Sequence, residues 1–285
     1  MLAVVGTVPD ANFPLLSGQV NLEDDAILIG GVRTPVERGT PALLAAALMA
    51  SRKMRSPAPF AYLVGDIGLG DGSRRLYKHL TLHLHNTNFR TVVFHYLQPD
   101  VDWHNRILFT MEAMDSRPVL IADAGFMYAA KMSGQSAAYD LFTPDLGELA
   151  FLADEMAPHP FYTRGFILHQ EERVVELIDL AYSHDNAARY LLVKGRVDYV
   201  TRGASILWTI DHPAEEAMEA IGGTGDTLTG IVAALIDSGM EIGAAAATAA
   251  HANRLAGHRA RPTPATQIRE IVPHIAPALT ATLKA

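Results

Sequence analysis

The chain is 285 residues long, 49% hydrophobic and 19% charged, with a formal net charge of −8. This is a globular composition with enough length for a substantial buried core. Net negative charge without any long Lys/Arg block excludes the electrostatic footprint of a nucleic-acid or anionic-lipid binder, so the expected partner is a small molecule, with no nucleic acid and no membrane. Zero cysteines exclude disulfides, thiolate metal sites and a cysteine nucleophile, and fit a reducing, cytoplasmic setting.

Met1 to Val8 is apolar, lacks a basic n-region and stops at Pro9-Asp10, so it reads as a strand rather than a signal peptide. No apolar run is long enough to span a bilayer. Short uninterrupted apolar runs at Leu2–Val5, Ala26–Ile29, Phe60–Val64, Thr91–Phe94, Val119–Ala122 and Leu191–Val193 have the pattern of strands buried on both faces. Helical periodicity lies between them, at Pro41–Met54, Ser73–His85, Val101–Met114, Gly125–Met132 and Glu171–Tyr182. Strand and helix therefore alternate, which predicts an α/β fold: one domain over residues 1–285, with a mostly parallel central sheet and helices on both faces. Val197–Thr201 and Ala204–Ile210 flank Arg202-Gly203 and read as an antiparallel hairpin at one edge. Helices at Thr224–Ser238, Ile242–Arg259 and Gln267–Leu283 follow, and the proline-rich patches Ser56–Pro59, Ala157–Pro160 and Arg261–Pro264 are short enough to be loops. Ligands in such folds bind beyond the carboxyl ends of the strands, where the loops after Val64, Ala122, Thr143 and Lys194 emerge.

The segment Ile221-Gly222-Gly223-Thr224-Gly225-Asp226-Thr227-Leu228-Thr229-Gly230 joins a glycine-rich turn to an amphipathic helix whose apolar stripe is Leu228, Ile231, Val232 and Leu235. At the start of that helix, unpaired N–H groups and the positive dipole end converge, and glycines let phosphate oxygens approach. Asp226 in this field can accept a proton from a hydroxyl attacking the phosphate. The dipole alone also favours an Asp in a first turn, so the motif takes its meaning from its company.

Thr143-Pro144-Asp145-Leu146-Gly147-Glu148 opens another helix. Asp145 and Glu148 have the spacing of a capping box, and the same carboxylates could hold water around a Mg²⁺ that bridges nucleotide phosphates. Lys194-Gly195 ends a strand, where the ammonium can neutralise phosphate and the glycine can let a nucleotide approach. Asp123 stands at another strand end and is a candidate substrate contact, as are Gly68 and Gly70 in the turn Val64–Ser73. That turn is neither a P-loop nor a dinucleotide fingerprint, because no Gly-Lys-Ser/Thr follows and Ser73 stands where a third glycine is needed. His79, His83 and His85 have mixed spacing and no HExxH partner, so no zinc site is expected.

Together, GGTGDTLTG at 222–230, TPDLGEL at 143–149, VKG at 193–195 and DAG at 123–125 resemble the ribokinase-like superfamily, closest to the ADP/ATP-dependent NAD(P)H-hydrate dehydratases. The resemblance covers residues 115–260 most specifically. It implies a three-layer ribokinase-like fold and a reaction in which ADP or ATP, with Mg²⁺, phosphorylates the hydroxyl of hydrated NADH or NADPH before phosphate leaves. It further implies Asp226 as base and the N–H groups of Gly223, Thr224 and Gly225 as stabilisers of the transferred phosphoryl. Lys194, Gly195, Gly222 and Gly225 would line the nucleotide; Asp123, Gly68, Gly70 and Asp226 would meet the substrate; Asp145 and Glu148 would hold the metal through water. Related folds form symmetric oligomers, which implies a homo-oligomer. Two departures stand out: Asp145 replaces the family's His, and Ala217-Met218-Glu219-Ala220-Ile221 replaces an Asn-containing stretch before Gly222. The alternatives are a small-molecule kinase of the same superfamily, acting on a vitamin precursor or sugar, and a non-catalytic nucleotide-binding protein.

Overall fold

The computed structural model describes residues 1–157 and 173–284. Its main sheet is built outward from β1 (Leu2–Val8), which pairs in parallel with β6 (Phe60–Gly65) on one side and β7 (Thr91–His95) on the other. The parallel run continues through β8 (Val119–Ala122) and β9 (Leu141–Phe142) to β10 (Tyr190–Val193). Antiparallel strands close both edges: β2 (Leu16–Gln19) beside β6, and the hairpin β11 (Asp198–Arg202) and β12 (Ser205–Ile210) beside β10. The resulting order is β12-β11-β10-β9-β8-β7-β1-β6-β2.

The period-2 alternation of side chains explains why these strands are apolar throughout. Leu2 and Val4 of β1, with Tyr190 and Leu192 of β10, enter one core beneath α1 (Thr40–Met54), α7 (Thr224–Asp237), α8 (Ile242–Ala260) and α10 (Ile275–Thr282). Ala3, Val5, Leu191 and Val193 enter a second core on the opposite face, beneath α2 (Asp71–His83), α3 (Val101–Glu112), α4 (Gly125–Met132), α5 (Leu146–Ala153) and α6 (Val174–Ser183). The molecule is thus a three-layer α/β structure with a mostly parallel sheet, as the alternation of elements predicts. No helix among the described residues is long and apolar enough to cross a membrane.

Ala26–Ile29 departs from expectation. It is β4 of a separate antiparallel sheet with β3 (Asn21–Glu23) and β5 (Val32–Pro35). Gly30 and Gly31, at φ of 56° and 84°, make the tight turn that folds β5 back on β4, and such a hairpin cannot continue into a parallel crossover. The run is apolar because Ile27 and Ile29 join the α1 core. The expected helix over Gln267–Leu283 is also broken, into α9 (Ile268–Ile271), a 3-10 turn at Val272–His274 and α10. Pro273 lacks the N–H that a continuous helix would need there. The start of the helix expected from Glu171, and most of the patch Ala157–Pro160, lie outside the described residues.

One close approach fixes the position of the site. A Cβ on Gly230 in α7 would stand 2.2 Å from the Leu43 carbonyl oxygen of α1, so only glycine permits this crossing. Alanines line the α1 side, with Ala42, Ala45, Ala46, Ala47 and Ala50 fully buried. The N-termini of α1 and α7 are thereby brought together over the carboxyl edge of the sheet.

Candidate active site

Four adjacent parallel strands each present a polar side chain at or just beyond their carboxyl ends: His95 from β7, Asp123 after β8, Thr143 after β9 and Lys194 after β10. All but Lys194 are at most 2% exposed. The first turn of α7 covers them and, at i and i+3 spacing, aims Asp226 and Thr229 at the same edge.

Gly223, at φ 101°, is the N-cap of α7, a conformation that favours glycine, and it has no side chain with which to cap the helix. The first backbone bond runs from the Thr227 N–H to the Gly223 carbonyl, 2.9 Å. The N–H groups of Thr224, Gly225 and Asp226 are therefore not used inside the helix and can receive an anion. Asn253 of α8 braces this turn, its Nδ2 donating to the Thr224 carbonyl at 3.1 Å and its Oδ1 accepting from the Thr227 hydroxyl at 2.8 Å. Gly222 lies beside Arg38, and Gly223 lies between Arg38 and Ile268.

Asp226 is 8% exposed. Its Oδ2 accepts from the Gly39 N–H at 2.6 Å, and its Oδ1 lies 3.0 Å from His95 Nε2. Burial pushes its carboxyl up, but the hydrogen bond and charge of His95, the Lys194 ammonium and the Gly39 N–H outweigh it and hold the group below the usual aspartate value.

Lys194 Nζ donates to both oxygens of Asp123, at 3.0 and 2.9 Å, and its methylene stem passes Gly225. Burial disfavours the ammonium, but Asp123, Glu148 and Asp145 more than compensate and raise its pKa. Thr229 donates to Asp123 Oδ2 at 2.6 Å and stands 3.1 Å from the Thr143 hydroxyl. Gly195 also anchors its own turn. Its N–H donates to Asp198 at 3.1 Å, and Arg254 of α8 clamps the turn through Asp198 Oδ2 at 2.7 Å and the Gly195 carbonyl at 2.9 Å.

Asp145 and Glu148 form a full capping box on α5, each side chain accepting from the other's N–H at 2.8 Å. A β-bridge pairs Asp145 with Lys194, which places both carboxylates beside the ammonium. Burial, then Asp145 and Asp123, push the Glu148 carboxyl well above the usual range, against the pull of Lys194. Tyr128 donates to its Oε1 at 3.1 Å. Among the described residues no set of three His, Cys, Asp or Glu side chains converges as a metal cage. The donor set consequently fits only a cation that keeps most of its shell as water and phosphate oxygen, which is the habit of Mg²⁺.

The loop carrying Gly68 and Gly70 sits at the same edge, but none of its described hydrogen bonds joins the Asp226 network. Asp66 ties the loop to itself, accepting from the N–H groups of Gly68, Gly70 and Ser73 at 3.0, 3.0 and 2.8 Å. Sequence reasoning overlooked His95, Tyr96, Gly39, Asn253 and Arg254. His95 carries the same signal as Asp123, a polar residue ending an apolar strand run. Tyr96 is 48% exposed at φ 54°, its ring 3.8 Å from where a Gly39 side chain would begin. Ala124, beside Asp123, is at φ 52°. Two non-glycine residues thus have positive φ at adjacent strand ends, the kind of local strain that a surrounding site can sustain.

The family described as NAD(P)H-hydrate dehydratase, Carb_kinase, matches residues 98–274. An uncharacterized protein from Methanocaldococcus jannaschii is 43% identical over 221 residues, 77% of this chain and 90% of that one. A bifunctional NAD(P)H-hydrate repair enzyme from Pyrobaculum aerophilum is 29% identical over 141 residues, 50% of this chain and 25% of the relative. Among solved structures, the pyridoxal kinase from Staphylococcus aureus in complex with ADP superimposes with a TM-score of 0.56 at 12% identity, covering 90% of this chain and 87% of the kinase.

Proposed function

Because the chain belongs to the NAD(P)H-hydrate dehydratase (Carb_kinase) family, with a ribokinase-like fold, we propose that it uses ADP or ATP to dehydrate NADH or NADPH hydrate, a metabolite-repair reaction. The observation that carries this reading is the pairing of an open helix N-terminus with a buried, ionised carboxylate: the amides of Gly223, Thr224, Gly225 and Asp226 beside the Asp226 side chain.

In this reading the acceptor hydroxyl lies against Asp226, and the terminal phosphoryl of the nucleotide lies against the α7 amides. The acceptor oxygen bonds to phosphorus as the bridging P–O bond breaks; the electron pair leaves with the nucleotide, and Asp226 takes the hydroxyl proton. Phosphate then departs from the nicotinamide ring with loss of the adjacent ring proton, which restores the double bond. The amides stabilise charge on the transferred group, and the fixed geometry supplies most of the rate, as phosphoryl transfer requires. Lys194, held by Asp123, supplies a positive charge beside the phosphate path, with Gly195 and Gly222 framing the nucleotide and Asp123, Gly68 and Gly70 on the acceptor side. Asp145 and Glu148 would hold Mg²⁺ through water; when bound, it offsets phosphate charge. A kinase that releases a phosphorylated product would share the first step and differ in the acceptor.

A coupled assay tests the proposal. Purified protein with Mg²⁺ and either nucleotide is offered NADPH hydrate, and the return of reduced-nicotinamide absorbance is followed. Nucleotide-dependent recovery is expected. No recovery while nucleotide still binds would overturn the acceptor and direct the search to another hydroxyl compound.

A further inference from the structure

His95 is fully buried, and both of its ring nitrogens are engaged. Nε2 lies 3.0 Å from Asp226 Oδ1, and Nδ1 lies 3.0 Å from the Thr40 hydroxyl. An ionised carboxylate can only accept, so Nε2 carries a proton. Nδ1 shares its hydrogen bond with the Thr40 hydroxyl, so both ring nitrogens are held and every partner is satisfied.

The support for this chain is built into the backbone. Thr40 is the first residue of α1, and a Cβ on Gly6 of β1 would fall 2.5 Å from its Oγ1 and 2.8 Å from the His95 carbonyl. Glycine at position 6 thus makes the space in which Thr40 reaches the imidazole. Gly39, one residue before Thr40, donates to the other Asp226 oxygen. Two donors, one on each oxygen, fix the carboxylate plane and leave one lone pair per oxygen for an incoming hydroxyl.

We propose that His95 is a positioning residue, braced by Thr40, that holds the Asp226 carboxylate in the orientation needed to receive the acceptor's proton. The inference rests on Asp226 being the base. His95 does not touch the reacting atoms; it acts through Asp226, much as second-layer partners orient the ligands of a metal.

The test compares His95→Leu, His95→Gln and Thr40→Val with Asp226→Asn in the NADPH-hydrate assay. Gln places an N–H donor where Nε2 stood, whereas Leu fills the space without one. His95→Leu should lower kcat roughly 10- to 100-fold with nucleotide KM unchanged, and His95→Gln should restore it to within about fivefold of the parent. Thr40→Val should lower kcat about threefold or more at an unchanged melting temperature. Equal kcat in the Leu and Gln variants, or full kcat in Thr40→Val, overturns the proposal. Should His95→Leu fail to fold, Thr40→Val decides alone. An active Asp226→Asn variant would instead sink the base, while an inactive one beside a parent-like His95→Leu sinks only the role of His95.

A second readout needs no acceptor: the pH titration of the Asp226 carboxyl carbon by NMR, assigned by its loss in Asp226→Asn. The groups facing this carboxylate are His95 and Tyr96 from β7 and the loop after it, Asp123 after β8, Lys194 after β10 and the Gly39 N–H from the start of α1. The midpoint should rise in His95→Leu and return towards the parent in His95→Gln. An unmoved midpoint in both counts against the proposal.

Discussion

Lys194 Nζ sits between the two carboxylate oxygens of Asp123, at 3.0 and 2.9 Å, with side-chain exposures of only 12% and 3%. A lysine free to meet phosphate would be solvated; this one is held ready by a buried partner, and the phosphate would share it. Removing one member of such a pair strands the other charge. Lys194→Met should therefore cost about 3–5 kcal/mol of stability. The double variant with Asp123→Asn should recover most of that, because Asn can still accept from Thr229. Denaturant unfolding of the cycle measures the coupling, and single effects that simply add would mean that the pair is not a unit.

Asp226→Asn should lower turnover by roughly 100-fold or more while nucleotide binding persists. A second consequence concerns pH. The folded-state pKa of Asp226 is depressed, so its contribution to stability is present above the unfolded value and is lost as pH falls through the folded one. The melting temperature of Asp226→Asn should accordingly lie below the parent's near neutrality, with the gap closing at pH values beneath the ordinary aspartate range. A gap that stays constant with pH would mean that ionised Asp226 does not stabilise the fold.

Much of this site was legible because its residues follow strand ends or open helices. Asp123, Thr143, Lys194 and Asp226 are brought together as the alternation of strand and helix requires, and a parallel sheet aligns such positions at one edge. His95 obeys the same rule, but it lies one residue beyond the apolar run that ends at Phe94. Asn253 and Arg254 gave no local signal. They lie mid-helix, and their importance comes from reaching the first turn of α7 and the Lys194-Gly195 turn across the interior. The sequence around Gly195 likewise hides that its N–H is taken by Asp198, three residues on, which anchors the turn. Ala26–Ile29 is as buried as a strand of the main sheet, and only the adjacent Gly30-Gly31 carries the hairpin signal that sets it apart.

Asp145 has two separable duties. As N-cap of α5 it accepts from the Glu148 N–H at 2.8 Å, and as a carboxylate it would help to hold Mg²⁺ water. Asp145→Ala removes both and should cost about 1 kcal/mol of stability. Serine caps a helix without carrying charge, so Asp145→Ser should keep the parent's melting temperature while turnover demands more Mg²⁺. A Mg²⁺ dependence identical to the parent's in Asp145→Ser would confine the residue to capping.

Gly230 links helix packing to chemistry. Its missing Cβ lets the Leu43 carbonyl approach, and a methyl group there would meet backbone atoms at 2.2 Å and, at the Ala47 nitrogen, 3.1 Å. Backbone cannot swing aside as a side-chain tip can, so Gly230→Ala must push α1 away from α7, at a cost of about 1–3 kcal/mol. The shift falls on the Gly39 N–H bond to Asp226, 2.6 Å in the native packing, and on the Thr40 contact with His95. Turnover should therefore drop more than the loss of folded protein accounts for. Ile178→Ala, in the core of α6 on the opposite face of the sheet, provides the comparison: it should destabilise by about 2–5 kcal/mol yet leave kcat unchanged wherever the protein remains folded. If both variants keep full kcat under folded conditions, the α1–α7 crossing serves stability alone and does not set the geometry of Asp226.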